Sequence, residues 1–171
     1  VFNVAVSQAN RAGDDWGVAR REGGMVTAGV GGPITGRGAD VLVIDDPVKN
    51  AEEARSPTMR EKVWDWYKST AFTRLEPGAA VVVIMTRWHL DDLAGRLTGG
   101  QAKEFDPEPW TVIKLPALAV GGDPLGRTPG EALWPQRYDA AALRPHQADP
   151  YWWSALYQQD PAGEEIGRAH V

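Results

Sequence analysis

The sequence contains no cysteine among its 171 residues. This absence excludes a disulfide framework and every zinc site that uses cysteine ligands. No apolar run approaches the ~20 residues of a membrane-spanning helix, and no charged-then-apolar signal peptide opens the chain. The 18 lysines and arginines are outnumbered by 23 acids and form no basic run, so charge gives no argument for nucleic-acid binding. With 43% hydrophobic and 24% charged residues, the composition is typical of a globular protein.

Both ends of the sequence favour a piece of a longer reading frame. Residue 1 is valine rather than a start methionine. Residues 166–171 read IGRAHV, which is the translation of a run that resembles a common sequencing adapter. We therefore expect residues 166–171 to be an adapter artefact and set them aside when predicting the fold, a genuine tail being the alternative.

Two apolar runs, 41–44 and 80–85, predict strands that are buried on both faces. Between them, Ser56 followed by Pro57 predicts the start of a helix that continues to about residue 75. Its apolar face is predicted from the helical spacing of Met59, Val63, Trp66, Tyr67, Thr70 and Ala71. Two such strands separated by a helix predict a βαβ unit, and hence an α/β fold with a parallel sheet.

Weaker patterns predict the remaining elements. Residues 17–30 alternate around two glycines and predict a hairpin. A short helix is expected over about 90–97 and one more strand over 110–115, within the otherwise irregular stretch 99–135. Asp149 followed by proline predicts the cap of a last helix, which carries Trp152, Trp153, Leu156 and Tyr157.

The run VLVIDDP, residues 41–47, places two carboxylates after a predicted strand. Ligands of open parallel sheets bind at this carboxyl end of the strands. Phosphoryl-transfer chemistry needs an acid there to hold Mg²⁺ and a group to orient water, and Asp45 and Asp46 have the adjacency of a Walker B motif. Acids also end buried strands simply to meet solvent, so the heptapeptide alone leaves both interpretations open.

The run VVVIMTRWH, residues 81–89, ends the second strand in polar residues. Thr86 at the tip of that strand is placed to touch a nucleotide's γ-phosphate or the attacking water, and Arg87 is a candidate phosphate contact. The alternative is that these residues cap the following helix. His89 beside Asp91 and Asp92 suggests a metal ligand only weakly, because a lone histidine is more often packed or capping.

The glycine-rich segment GVGGPITGRGAD, residues 29–40, is not predicted to be a phosphate loop. It lacks the Gly-Lys-Ser/Thr ending of a P-loop, and it precedes a strand instead of following one. Arg37 within it is a candidate contact to a phosphate, with solvent as the alternative.

Five segments in order resemble the large terminase subunit of tailed phages. They are GVGGPITGRGADVLVIDDPVKN, KVWDWYKSTAFTRLEPG, VVVIMTRWHLDDLAGRL, GEALWPQRYDAAAL and YWWSALYQQDPAG. The resemblance covers residues 8–165. It implies a P-loop ATPase of the additional-strand type joined to an RNase H-like nuclease, with ATP and Mg²⁺ as cofactors.

The same resemblance implies a role for each residue of the predicted site. Asp45 would hold Mg²⁺, and Asp46 would stand where many relatives have a catalytic glutamate. Aspartate is one methylene shorter than glutamate, which makes the general-base role less secure. Thr86 would match the coupling motif that links hydrolysis to movement.

Residues 1–135 are thus expected to form the C-terminal part of the ATPase domain, and residues 136–165 a linker or subdomain leading to the nuclease domain. The Walker A loop is expected upstream of residue 1 and the nuclease carboxylates beyond residue 165. The implied partners are double-stranded viral DNA, the portal protein, the small terminase subunit and further copies in a ring. No membrane is implied, and the expected location is the host cytoplasm.

Three alternatives stay open at this point. A helicase-superfamily ATPase shares the Walker B motif and the threonine-bearing strand, although the WPQRY and ALYQQDP segments argue against it. A metal-dependent nuclease would need Asp45, Asp46, Asp91 and Asp92 to converge on two metals. The third alternative is a non-catalytic interaction module.

Overall fold

The computed structural model describes residues 5–32, 34, 36–100 and 109–161. The predicted adapter segment 166–171 lies outside the described residues. The chain divides into two compact units, which are Val1–Val43 with Glu61–Val82, and Ile44–Arg60 with Val83–Val171. The first unit carries an antiparallel meander, and the second carries the ends of two paired strands and most of the short helices.

The antiparallel meander consists of strands β1 (Val6–Arg11), β2 (Asp15–Val18) and β3 (Gly24–Val26). Strand β2 lies in the middle and pairs with both neighbours. The predicted hairpin within residues 17–30 is therefore confirmed. Its turn closes through a hydrogen bond from Val18 N–H to the Gly23 carbonyl at 3.0 Å, and Gly23 has a φ of +125° that favours glycine.

Strands β4 (Ala39–Asp45) and β5 (Leu75–Ile84) form a second sheet of two parallel strands. The predicted parallel pairing of these two runs is confirmed. Strand β5 begins at Leu75, earlier than predicted, so the helical segment ends before Pro77 rather than at it. Proline can occupy this position because it lies near the start of the strand. The described fold is thus mixed α/β.

The prediction that both strands are buried on both faces is wrong. Along β4, Leu42 and Ile44 are turned inward, whereas Val41 and Val43 are 59% and 54% exposed. Val82 in β5 is also exposed. Successive side chains of a strand point to opposite faces, and within the described residues only one face of this sheet is covered.

The helical segment between β4 and β5 has three consecutive parts. The α-helix α2 (Pro57–Trp66) continues as a π-helical turn (Tyr67–Ala71) and a 3₁₀ turn (Phe72–Arg74). Ser56 caps α2 as predicted, because its hydroxyl accepts a hydrogen bond from Met59 N–H at 3.3 Å.

The burial of this helical segment differs in part from the prediction. Val63 is buried as predicted, but Met59 and Trp66 are only half-buried. Trp64, which the predicted spacing left out, is buried and stacks on the fully buried Tyr67 with ring centroids 5.9 Å apart. The buried residues Val63, Trp64, Tyr67 and Ala71 recur at helical spacing and form one face of the segment, which includes Trp64 in place of the predicted Met59 and Trp66.

The second unit contains several short helices. They are α1 (Ala51–Arg55), α3 (Leu93–Thr98), α4 (Ala140–Leu143) and α5 (Pro150–Trp152), and α5 continues as a π-helical turn (Trp153–Tyr157). Each of these four α-helices begins after an Asn or Asp whose side chain accepts a backbone N–H of the first turn. The predicted helices near 90–97 and after Asp149 are confirmed, whereas α1 and α4 were not predicted. None of the helices in the described ranges is long and apolar enough to cross a membrane.

The predicted strand over residues 110–115 is wrong, because this segment is irregular in the structure. Strand propensity needs a pairing partner, and the backbone of Leu115 at the end of this segment pairs with a side chain instead. Leu115 N–H donates to the side-chain oxygen of Gln159 at 3.0 Å, and Leu118 N–H donates to that of Gln158 at 3.0 Å. The side-chain amide of Gln158 also donates to the Leu118 carbonyl at 3.0 Å. Gln159 thus takes the place of a neighbouring strand at the end of this segment, and Gln158 does the same kind of pairing at Leu118, beyond it.

Candidate functional site

The carboxyl end of β4 presents the two acids predicted from the sequence. Asp45 is the last residue of the strand and Asp46 follows it, and both are exposed. The side chain of Asp45 has no hydrogen-bond or ion-pair partner among the residues that the structure describes. Asp46 has a φ of +41°, which is in the left-handed region that few residues other than glycine adopt. The chain therefore leaves the sheet abruptly at Asp46.

Thr86 lies at the same edge of the sheet as these acids. Asp46 N–H donates to the Ile84 carbonyl at 2.9 Å, which extends the ladder past the end of both strands. Asp46 Oδ1 in turn accepts a hydrogen bond from Thr86 N–H at 3.0 Å. The structure thus brings Asp45, Asp46 and Thr86 together, although residues 46 and 86 are 40 positions apart.

Arg87 is held by a buried acid. Its Nε donates to Asp92 Oδ2 at 2.7 Å, and the other oxygen of Asp92 accepts Gly95 N–H at 2.8 Å and caps α3. Burial raises the pKa of Asp92, while the hydrogen bond and charge of Arg87 act in the opposite direction. The predicted phosphate contact of Arg87 stays a prediction, and it requires this guanidinium to leave or share Asp92.

Asp91, next to Asp92, is clamped by two arginines. Arg96 in α3 contacts both of its oxygens, at 2.7 and 2.9 Å, and Arg60 in α2 donates to Oδ2 at 3.2 Å. The hydrogen bond from Arg96, together with that from Arg60, lowers the pKa of Asp91 to about 2 despite partial burial. Arg60 also donates to the Ala54 carbonyl at the end of α1, at 2.7 Å. This cluster fastens three helices around one carboxylate.

These ion pairs weigh against the nuclease alternative. Asp91 and Asp92 are engaged by arginines, and Asp46 by Thr86 N–H, so the four acids do not converge on a common point. Within the described ranges, no group of three or more His, Asp or Glu residues could hold a metal ion. His89 accepts Asp91 N–H on its Nδ1 at 2.9 Å, in the turn that precedes α3.

Arg37 belongs to the other unit, where its guanidinium forms an ion pair with Asp15 at 2.5 Å. Half of its side chain remains exposed. Of the glycine-rich segment around it, Pro33 and Thr35 lie outside the described residues. The structure does not bring Arg37 to the acids within one unit, and its phosphate contact stays a prediction.

An aromatic group next to the site was not predicted from the sequence. Trp88 packs edge-on against Trp152, with centroids 6.0 Å apart, and its carbonyl accepts the Tyr151 hydroxyl at 3.3 Å. Arg55, the last residue of α1, lies over the rings of Tyr151 and Trp152, 5.5 and 5.0 Å from their centroids. The signal was the density of aromatic residues around 151–157, although sequence alone does not say what they contact.

A cavity of about 470 Å³ lies elsewhere in the second unit. Its lining includes Lys114, Gly122, Trp153 and Gln158. None of the predicted site residues lines it, so it is separate from the strand ends.

Comparison with protein families gives one finding that covers most of the chain. Residues 15–145 match the family described as terminase large subunit, T4likevirus-type, N-terminal. The matched range contains Asp45, Asp46, Thr86 and the arginine-clamped acids. Comparison with curated proteins gives no match. Since the family profile matches well over half of the sequence, the chain belongs to the terminase large subunit family, whose members take part in phage DNA packaging.

Proposed function

We propose that this chain is part of the ATP-hydrolysing motor that moves double-stranded viral DNA into procapsids. One observation carries the proposal. The acid-bearing end of β4 and the threonine-bearing end of β5 lie at one edge of a parallel sheet and are joined through Asp46 and Thr86. Ligands of parallel sheets bind at that edge, and phosphoryl transfer needs an acid and a hydroxyl there.

The residues at this edge fit Mg²⁺. Mg²⁺ prefers oxygen ligands, and in nucleotide sites it takes one or two carboxylates while substrate phosphates and water complete its shell. Asp45 offers such a carboxylate, exposed and without a partner among the described residues. Bound there with ATP, Mg²⁺ would neutralise charge on the phosphates.

Each residue of the edge has a proposed task. Asp45 holds the cation, and the Thr86 hydroxyl senses the γ-phosphate or its water and couples hydrolysis to movement. Arg37 and Arg87 are proposed phosphate contacts. The water-orienting role that the family resemblance gives to Asp46 stays a prediction.

The proposed motor needs parts that these 171 residues do not encode. The Gly-Lys-Ser/Thr run of a Walker A loop does not occur in this sequence. The proposed fold is a P-loop ATPase of the additional-strand type. Several copies are proposed to form a ring on the portal protein, and the small terminase subunit assists them in the host cytoplasm. The chain by itself should neither hydrolyse ATP nor bind it tightly, because no backbone cradle or lysine neutralises the phosphates.

Replacing Thr86 by valine in the full-length protein tests the coupling role. The change removes one hydroxyl at nearly constant volume and keeps the backbone N–H that binds Asp46. Some hydrolysis of ATP should therefore survive while the amount of packaged DNA falls to background. Thr98→Val is the matched control, because the Thr98 hydroxyl bonds to the Ala94 carbonyl on an exposed turn of α3. Normal packaging by Thr86→Val would contradict the proposal.

A further inference from the structure

A side-chain oxygen of Asp46 takes a place in the hydrogen-bond ladder of the parallel sheet that a backbone carbonyl normally fills. In a regular parallel pair, the N–H of a residue donates to a carbonyl of the neighbouring strand. The carbonyl of the same residue accepts the N–H that lies two positions further along that neighbouring strand. Asp46 donates to the Ile84 carbonyl at 2.9 Å and is aligned to accept from Thr86 N–H. The acceptor, however, is its side-chain Oδ1, at 3.0 Å.

The left-handed backbone of Asp46 explains this replacement. With a φ of +41°, the peptide after Asp46 turns out of the ladder towards the buried Pro47 and Val48. The carboxylate then supplies the acceptor that the turned carbonyl no longer offers. Asp and Asn are the non-glycine residues that adopt this conformation most readily, since their short polar side chains bond to nearby backbone groups. Such strained positions persist only where the surrounding structure holds them.

The hydrogen bond from Thr86 N–H to Asp46 Oδ1 fixes the position of the Thr86 main chain. The two hydrogen bonds of Asp46 flank Met85, so the main chain from residue 84 to residue 86 is registered against the end of β4. Asp45, which precedes Asp46, is fixed by the same ladder. The separation between the Asp45 carboxylate and the Thr86 hydroxyl therefore depends on the side chain of Asp46.

We propose that Asp46 is a positioning residue, whose carboxylate oxygen holds the Thr86 backbone at the distance from Asp45 that the reaction needs. This inference rests on the proposed function, and it differs from the general-base role in one requirement. A base needs an ionisable carboxylate, whereas acceptance of an N–H needs only an oxygen lone pair, which the amide of asparagine also supplies.

Three variants of the full-length protein separate these roles. Asp46→Asn keeps the acceptor and tolerates the left-handed backbone. Asp46→Gly loses the acceptor but suits that backbone better, so its unfolding temperature should stay close to that of the wild type. Asp46→Ala loses the acceptor and keeps the strain. Misplacement of a catalytic group by about 1 Å lowers a rate by about 10²-fold.

The measurements are kcat and KM for ATP, together with hydrogen exchange of the Thr86 amide in protein labelled with ¹⁵N-threonine. Asp46→Gly and Asp46→Ala should lower kcat by about 10²-fold with little change in KM. Both should also speed the exchange of the Thr86 amide. Asp46→Asn should restore slow exchange and bring kcat back to within about tenfold of the wild type.

Two results would overturn the positioning role. One is an Asp46→Asn protein as slow as Asp46→Gly, because the charge would then be what matters. The other is a normal kcat in Asp46→Gly. Asp45→Asn distinguishes this failure from failure of the proposed function. Normal ATP hydrolysis by Asp45→Asn would refute the proposed metal site itself. An inactive Asp45→Asn together with a normal Asp46→Gly would refute only the positioning role.

Discussion

Two pairs of adjacent aspartates lie at or beyond the carboxyl ends of the two parallel strands, and their surroundings differ. Asp45 and Asp46 are exposed, and the single side-chain bond described for them is the one from Thr86 N–H. Asp91 and Asp92 are bound by three arginines, two of which are only 9% exposed. The first pair has oxygens available for a cation, and the second has none to spare. Adjacency of acids in sequence therefore does not define a metal site, because the partners decide what the carboxylates can bind.

The largest difference between the pairs is expected in catalysis. Asp45→Asn in the full-length protein keeps the shape of the side chain but loses the charge that is proposed to hold Mg²⁺. Metal stabilisation of phosphoryl transfer is worth several kcal/mol, so hydrolysis of ATP should fall by about 10³-fold. Asp40→Asn, on the same strand and also exposed, is the matched control and should hydrolyse ATP normally. An active Asp45→Asn would mean that the first pair is only a polar strand end.

The next difference is expected in stability. Asp92→Ala removes the partner of Arg87 and the cap of α3 together, and Asp92 is only 3% exposed. Loss of one partner of a buried pair should lower the free energy of unfolding by about 3 kcal/mol. Asp45→Ala removes an exposed side chain and should change it by less than about 0.5 kcal/mol. Urea unfolding of both variants measures this contrast, and equal losses would show that the two pairs are structurally equivalent.

A smaller difference between the pairs is expected in how the free energy of unfolding changes at acidic pH. The folded pKa of Asp91 is about 2, below its ordinary value of 3.8, so the unfolded chain takes up this proton first as the pH falls. The stability that Asp91 contributes is therefore present above pH 4 and is lost between about pH 4 and pH 2. Asp92 acts in the opposite direction, because burial raises its pKa. Asp91→Asn should lose less stability than the wild type between pH 5 and pH 2. If urea unfolding gives the same pH dependence of stability for Asp91→Asn and the wild type, the arginines do not hold Asp91 in solution.

The sequence was sufficient for features that depend on local patterns. The parallel pairing of β4 and β5, the Ser56 cap and the Asp149 cap follow from an apolar run or from a capping residue beside a proline. The positions of Asp45 and Asp46 at the end of β4 follow from the same run. The caps and the strand positions were predictable because each is set within a few residues, and the parallel pairing follows from the helix that separates the two strands.

Features that depend on distant partners were not predictable. The segment 110–115 has strand-like composition, but its last residue, Leu115, meets the side chain of Gln159 instead of a neighbouring strand. The clamp on Asp91 joins residues up to 31 positions apart. The bond from Thr86 to Asp46 depends on one left-handed φ that no periodicity reveals. Such contacts arise only when the fold brings separate elements together.

The most direct test of the proposed metal and nucleotide site uses Mn²⁺ as a paramagnetic substitute for Mg²⁺. The full-length protein, labelled with ¹⁵N-threonine, would be titrated with Mn²⁺ in the presence of a non-hydrolysable ATP analogue. If Asp45 holds the cation at the end of β4, the amide signal of Thr86 should broaden at lower Mn²⁺ concentration than those of Thr98 and Thr128, and Asp45→Asn should remove the difference. A Thr86 signal that broadens no earlier than the other two would contradict the placement of the motor's metal at this edge of the sheet.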